Sequence, residues 1–428
     1  MRLFLDSVGC RLNISELEHT ARLVQAAGWE LAHSPEDADV ILINTCTVTA
    51  KAAADSRKMI RHANRVSSAP IIVTGCWSTL SPEKARKLPG VAAVIPNAEK
   101  EQIVEVLLKA PQPQSEDVLR WLQDYHPDRL RTRSFVKVQD GCNHRCAYCI
   151  TTLARGRSRS RPIHDVLNDI RSAALEGVQE VVLTGVHLGM WGRDLSPEAD
   201  LVTLIKTVLS EMASISRLHL SSLEPWDLPA ELFRLWKDDR LVKHLHMPLQ
   251  SGSSTILRRM GRKVTLDGFA RLLADVRSQI PDVAITTDLI AGFPGEREAD
   301  HQATLAFVHS LNLAGGHVFP YSEREGTPAA RMAEPVHHAC RKERAAQLRT
   351  VLAASAKTFK EQYVGTIRPV LWIQERKGML QGMTDNEIKV FMKGHAGSVN
   401  HIEPVKLQAL HGAGMTGIVL DDSRLFSP

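Results

Sequence analysis

The chain has 428 residues, 43% of them hydrophobic and 24% charged, with a formal net charge of +5. That balance excludes a disordered or fibrous chain, and the length accommodates two or three domains with cores of their own. No apolar run reaches the length of a membrane span, and Met1-Arg-Leu-Phe-Leu-Asp6 is too short and acid-interrupted for a secretory leader, so a cytoplasmic protein with no membrane attachment is expected.

Leu3–Val8, Asp39–Asn44, Pro70–Thr74 and Val91–Ile95 are short apolar runs that read as strands. Ile14–Ala27 and Val48–Val66 have helical spacing, Ser81-Pro82 caps a third helix, and a last one runs from Ala98 to Lys109. This alternation predicts an open α/β domain with a parallel sheet over residues 1–110. Each of the first three strands ends in a cysteine: Gly9-Cys10, Thr45-Cys46 and Gly75-Cys76. The carboxyl ends of parallel strands share one edge, so three cysteines distant in sequence are predicted to meet in one pocket. Gly9 and Gly75 let the backbone come close to a bulky group. The competing reading, three structural thiols, suits positions inside an apolar run better than positions at its exit.

Ala110-Pro-Gln-Pro-Gln-Ser-Glu116 reads as a boundary, opening a linker over 111–133 in which Trp121, Tyr125 and Leu130 pack against a neighbour. From residue 134 to 362 the alternation resumes. Six strands are predicted at Phe135–Gln139, Glu180–Thr184, Arg217–Ser221, His244–Leu249, Ala284–Ile290 and His317–Tyr321. Helices fall at Pro162–Leu175, Leu201–Ala213, Ala230–Lys237, Leu266–Gln279 and Glu298–Ser310. Six βα units form a curved parallel sheet, too few to close an eight-fold barrel, with function expected at the strand carboxyl ends.

Just after the first of these strands comes Asp140-Gly-Cys-Asn-His-Arg-Cys-Ala-Tyr-Cys149, with cysteines spaced by three and then two residues. Four thiolates close an iron–sulfur cube; three leave one iron open to a small molecule. The rival is a zinc knuckle lacking its fourth ligand, for which His144 is the candidate. Arg155-Gly-Arg-Ser-Arg-Ser-Arg161 then places four arginines in seven residues, suited to phosphates or a carboxylate, or else a solvated loop. His244 and His246 share one strand face and read as barrel-interior packing or substrate contact rather than a metal pair. A helix over 336–363 leads into β-like runs at Ile367–Gln374, Ile388–Met392, Val405–Leu410 and Thr416–Leu420, which predict a small β-barrel over 363–428.

Together these features resemble the radical S-adenosylmethionine (SAM) methylthiotransferases. The resemblance spans nearly the whole chain. It rests on Gly9-Cys-Arg-Leu-Asn13, Asn44-Thr-Cys-Thr-Val-Thr49, Gly75-Cys76, the central CxxxCxxC, His246-Met-Pro-Leu-Gln-Ser-Gly252, Gly292-Phe-Pro-Gly-Glu296 and Tyr321-Ser-Glu-Arg-Glu-Gly-Thr-Pro328. It implies two [4Fe-4S] clusters: a catalytic, SAM-binding one on Cys142, Cys146 and Cys149, and an auxiliary one on Cys10, Cys46 and Cys76. One SAM then serves as methyl donor and a second as radical source. By position, Gly185, Ser221, Glu224, Gln250 and Asp288 line the SAM and substrate cavity, with Arg155 on SAM's carboxylate. The implied partners are tRNA and a flavodoxin- or ferredoxin-type electron donor, and the chain is expected to act as a monomer.

The Thr-Val-Thr after Cys46, followed by Ala54-Asp-Ser-Arg-Lys-Met-Ile-Arg61, is similar to the subgroup that modifies N6-threonylcarbamoyladenosine 37. Isopentenyladenosine 37 and ribosomal protein S12 are the alternative substrates, and a non-catalytic zinc-stabilised RNA-binding protein is the alternative of another class. Lys51, Arg57, Lys58, Arg61 and Arg65 give the helix there a basic face that RNA phosphates attract. Two departures stand out. Trp77 follows Cys76 and is expected to alter the cluster pocket, and Thr384-Asp-Asn-Glu387 puts an acid where the family's C-terminal TRAM domain often has an aromatic.

Overall fold

The computed structural model describes residues 1–108, 132–394 and 396–420. Nearly all of the expected linker, with Trp121, Tyr125 and Leu130, lies outside these. The first unit is a parallel sheet of β1 (Arg2–Ser7), β2 (Glu30–Leu31), β3 (Val40–Thr45), β4 (Ile71–Gly75) and β5 (Val91–Ile95), in the order β2-β1-β3-β4-β5. Strand side chains alternate between faces. Leu42 accordingly joins Leu17 and Val24 of α1 (Arg11–Ala26) on one side, while Ile41 and Ile43 meet Ala53 and Ile60 of α2 (Ala50–Val66) on the other. Both faces of β3 are buried, which is why it reads as an unbroken apolar run. The Thr49 hydroxyl caps α2 by accepting from the Ala52 amide at 3.1 Å. Three short helices follow: α3 (Cys76–Leu80), α4 (Pro82–Arg86) and α5 (Ile103–Leu108).

The central unit has six parallel strands: β6 (Arg133–Lys137), β9 (Glu180–Thr184), β10 (Arg217–Leu220), β11 (His244–His246), β12 (Ala284–Ala291) and β13 (Gly315–Pro320). They pair as β6-β9-β10 and β11-β12-β13, and a bridge between Leu218 and Leu241 spans the break. A short antiparallel pair, β7 (Gln139–Asp140) and β8 (Arg159–Ser160), flanks the cysteine loop and α6 (Thr151–Arg155). Around the outside lie α7 (Ile163–Leu175), α8 (Leu201–Glu211), α9 (Ala230–Phe233), α10 (Ser254–Arg259), α11 (Leu266–Gln279) and α12 (Glu298–Ser310). The expected partial barrel is present.

Its first edge, β6, is covered by α1 of the preceding unit. Ser15 accepts from the Lys137 amide at 2.7 Å and Glu18 from the Phe135 amide at 3.0 Å. These bonds satisfy edge donors that would otherwise template another chain, and they explain why polar Ser15 and Glu18 are buried on α1. The same seam holds Arg155. Its guanidinium donates to Glu16 at 2.8 Å, to Asp140 at 3.0 Å and to Asn13 at 2.8 Å, and its side chain is 2% exposed. Arg155, expected to meet SAM, instead bolts the N-terminal sheet to the barrel. Of the loop's other arginines, Arg161 pairs with Asp169 at 2.7 Å, while Arg157 and Arg159 are exposed.

After α13 (His338–Glu361) comes a closed barrel of β14 (Ile367–Arg376), β15 (Met379–Thr384), β16 (Lys389–Lys393), β17 (Ile402–His411) and β18 (Gly414–Val419). The sequence reading missed β15, whose Gly382 weakens the strand signal. A Cβ there would lie 2.7 Å from Trp372, so glycine is what lets β15 pass the buried indole. This barrel docks on the amino ends of the central strands. Arg217 donates to the Met383 and Pro369 carbonyls at 3.0 and 2.7 Å, Arg368 pairs with Asp282 and Asp385 at 2.8 Å each, and Asn386 donates to the Asp282 carbonyl at 3.1 Å. The Thr384–Glu387 turn therefore faces protein.

The seam makes a direct prediction. Arg155→Leu leaves Glu16 and Asp140 buried beside each other without their shared guanidinium. The metal-free variant should lose about 3–5 kcal/mol in urea unfolding, whereas exposed Arg157→Leu should change little.

Candidate functional site

Cys10 sits at the N-cap of α1, Cys46 just beyond β3, and Cys76 at the first turn of α3, all on one edge of the N-terminal sheet. Two glycines allow this convergence. Gly9 has φ of +111°, and a Cβ on it would stand 2.6 Å from the Cys46 sulfur; Gly75, at +101°, would clash with the Thr45 carbonyl oxygen at 2.2 Å. Burial above all, with Cys10 and Cys76 adding to it, pushes the Cys46 thiol up to about 11, so the three sulfurs lie within electrostatic reach of one another. The surrounding protein raises Cys10 as well, although the residue is exposed.

The surroundings offset negative charge. Arg155 favours the thiolates of Cys10 and Cys46, Cys76 in turn favours the charged Lys100, and Arg324 faces Cys46. Asn97 adds its side-chain amide 3.7 Å from the Cys76 sulfur. Burial works against the Glu16 carboxylate, yet Arg155, Lys100 and Lys137 together hold it well below the usual range. Arg324 comes from the Tyr321–Pro328 stretch noted in the sequence, but no residue role was assigned to it there. Trp77, expected at the pocket, turns into the sheet's core with Ile41 and Ile60, its ring under the Arg57 guanidinium at 5.8 Å.

The central cysteines occupy a loop pinned on both sides. The Ala147 amide donates to the Met260 carbonyl and the Ala147 carbonyl accepts from the Ala329 amide, both at 2.8 Å. Burial pushes the Cys142 thiol up to about 11, with Cys149 and Cys146 adding to the effect. Arg262, which sequence reasoning overlooked, stands beside Cys146 and Tyr148. Its fully buried guanidinium pairs with Glu224 at 2.8 Å and lies 4.3 Å from the centre of the Trp226 ring. The only signal was its place in Arg258-Arg-Met-Gly-Arg262, just past the end of α10.

His144 is not set as a fourth zinc ligand. It faces Asp227 at 3.3 Å, as does His187 at 3.0 Å. Burial lifts that carboxyl, but His187, Arg193 and His144 outweigh it and hold its pKa at about 2. Among the described residues, neither cysteine trio brings all its sulfurs within 4.8 Å of one another. Tetrahedral zinc with bonds of about 2.3 Å needs sulfurs roughly 3.8 Å apart. Neither trio is gathered that tightly.

The predicted lining residues are found at the strand ends. Gly185 abuts Gln139, where a Cβ would meet the side-chain oxygen at 3.0 Å. Gln250 has φ of +76°, and its backbone keeps the pairing with β12 through the Asp288 carbonyl at 2.8 Å and the Ile290 amide at 2.9 Å. The Ser221 hydroxyl and one Asp288 oxygen are buried without a hydrogen-bond partner among the described residues. Leaving such atoms unpaired costs about 1–3 kcal/mol each, so the strand mouth has the polar groups a polar ligand would satisfy.

Residues 2–96 match the uncharacterized protein family UPF0004, and residues 136–308 match the radical SAM superfamily. The chain is 34% identical to the threonylcarbamoyladenosine tRNA methylthiotransferase MtaB of Bacillus subtilis (strain 168), over 94% of this chain and 92% of that one. The MtaB protein of Thermotoga maritima is 35% identical over 96% and 95%. The tRNA-2-methylthio-N(6)-dimethylallyladenosine synthase of Clostridium tetani is 30% identical over 94% and 93%. In fold, the chain is similar to the radical SAM methyltransferase TsrM from Kitasatospora setae, with a TM-score of 0.57 at 13% identity over 77% of this chain and 74% of that one. No helix among the described residues is long and apolar enough to cross a membrane. On this similarity, carried by both matched regions and by nearly the whole length, the chain belongs to the radical SAM tRNA methylthiotransferases, enzymes that use SAM and [4Fe-4S] clusters.

Proposed function

We propose that this enzyme transfers a methylthio group to C2 of N6-threonylcarbamoyladenosine 37 in tRNA, with one SAM as methyl donor and a second as radical source. The observation that carries the reading is the buried Arg155, six residues past the central cysteine loop, held on Glu16 within electrostatic reach of Cys10 and Cys76. The choice of nucleoside draws on the Thr47-Val-Thr49 signature and on the higher identity to the two MtaB proteins than to the dimethylallyladenosine synthase.

In this reading Cys142, Cys146 and Cys149 hold the SAM-binding [4Fe-4S] cluster, and Cys10, Cys46 and Cys76 hold the auxiliary one. When bound, these groups supply one-electron cleavage of SAM and a sulfur site, chemistry no side chain offers. The chain's own residues do the rest. Loading either site displaces protons from its thiols, and burial raises those of Cys46, Cys142 and Cys146, so binding weakens as the pH is lowered. Arg155, Lys100 and Arg324 offset the negative charge that a thiolate-bound cluster brings. Ser221, Glu224, Gln250 and Asp288, with Gly185 giving close backbone approach, orient SAM and the base. The exposed Lys51, Lys58, Arg61 and Arg65 of α2 face RNA phosphates. Residues 1–110, 134–362 and 363–428 act as the auxiliary-cluster, radical SAM and TRAM-like domains of a cytoplasmic monomer, reduced by a flavodoxin- or ferredoxin-type protein.

Iron and sulfide analysis after anaerobic reconstitution tests the sites. The wild type should carry about eight irons per chain, and Cys46→Ala and Cys146→Ala about four each; zinc without sulfide would reject both assignments. Nucleoside mass spectrometry of tRNA from a deletion strain tests the substrate. The methylthio form of threonylcarbamoyladenosine should vanish, while loss of methylthio-isopentenyladenosine instead would overturn the specificity and keep the chemistry.

A further inference from the structure

Small parallel barrels are normally filled by branched apolar side chains. Here the lower interior is polar. Glu180 of β9, His219 of β10, His244 and His246 of β11, and Thr286 and Asp288 of β12 project inward, and His219 and His244 are buried. They form an unbroken series. Asp288 Oδ2 lies 3.3 Å from His246 Nε2, and His246 Nδ1 lies 3.0 Å from Thr286 Oγ1. That hydroxyl is 2.8 Å from His244 Nε2, and His244 Nδ1 is 2.9 Å from His219 Nε2. His219 Nδ1 then meets Glu387 at 3.1 Å and Glu180 at 3.2 Å. Glu387 belongs to the docked turn of the C-terminal barrel, and its φ of +62° places it there.

This cluster is not a metal site, although His219, His244 and Glu387 stand close enough for one. Arg133 Nη2 already sits 2.6 Å from Glu180, 2.8 Å from Glu387 and 3.0 Å from His219 Nδ1, filling the cation's place. The other charged or titratable neighbours are Arg217 on β10, Arg11 on α1 and His317 on β13, whose ring centre is 6.5 Å from that of His246.

A neutral imidazole has one donor and one acceptor nitrogen, and a hydroxyl can do both. The series therefore has two self-consistent directions. In one, Arg133 donates to His219, and every later donor points toward Asp288. In the other, His219 donates to a carboxylate, and each donor points back toward the C-terminal barrel. Burial and the neighbouring His219 keep His244 neutral, as both directions require.

We infer that His246, Thr286, His244 and His219 form a proton path through the barrel that ties the protonation of Asp288 at the strand mouth to Glu387 of the C-terminal barrel. A proton on Asp288 passes to His246 Nε2, while His246 gives its Nδ1 proton to Thr286. Thr286 gives its own to His244 Nε2, His244 passes one to His219 Nε2, and His219 delivers its Nδ1 proton to Glu387. Burial works against that carboxylate, yet Arg133, His219 and His244 hold it well below the usual range, so the proton rests at the Asp288 end and reaches Glu387 transiently. Each intermediate group ends with the protons it began with, and no electrons move. The relevance of Asp288 to catalysis rests on the reading above; the path does not.

The test uses the full-length, metal-free chain labelled with 15N-histidine, titrated by NMR, with near-UV circular dichroism confirming the fold of each variant. In the wild type, His246 and His219 should change together in one titration step, and Asp288→Asn should move that step at both rings. In Thr286→Val, which keeps the shape and removes the hydroxyl, Asp288→Asn should move it at His246 alone; Thr286→Ser should restore the joint response. If His219 ignores Asp288→Asn in the wild-type background, or if Thr286→Val still transmits it, there is no path. Because no cluster or tRNA is present, either result leaves the proposed activity to stand or fall separately.

Discussion

One buried guanidinium organises this protein. Arg155 follows the central cysteines by six residues, yet its partners Glu16 and Asn13 belong to the N-terminal helix that begins at Cys10. A buried ion pair is a poor source of net stability, because desolvation consumes most of the attraction. Its value lies in geometry. With Glu16, Asp140, Lys100 and Lys137 in mutual contact, the two cysteine edges are held in one relative placement. Radical chemistry depends on that placement, since a reactive intermediate must meet its target before it meets water.

The lower end of the barrel shows a second use of polar burial. There the C-terminal barrel engages backbone carbonyls and a few ion pairs, and its inserted acid joins a polar interior. Such an interior costs stability unless every atom finds a partner. Along this series every ring nitrogen and the Thr286 hydroxyl does, and the one buried oxygen left over belongs to Asp288 at the strand mouth.

Much of this was legible in the sequence, because the signals were local. Apolar runs ending in cysteine gave the N-terminal sheet, its shared edge and the convergence of Cys10, Cys46 and Cys76; the six central strands followed from alternation with helices. What stayed hidden depends on contacts across long stretches of chain. Nothing near Arg155 says that two of its partners, Glu16 and Asn13, lie about 140 residues upstream, so proximity to the cysteine loop suggested a ligand role. Trp77 beside Cys76 was assigned to the pocket because adjacency was visible and side-chain direction was not. Arg262 and Arg324 sit in turns without periodicity. The strand at Met379–Thr384 was lost to a glycine that only the neighbouring indole explains.

Because Ser15 and Glu18 close the hydrogen-bonding edge of β6, the first hundred residues are not an appendage that can be exchanged at will. A graft that replaced the N-terminal sheet without α1 would hand the remaining barrel a raw, adhesive rim. A chimera with a relative would therefore have to carry the contacts of this helix across as a set.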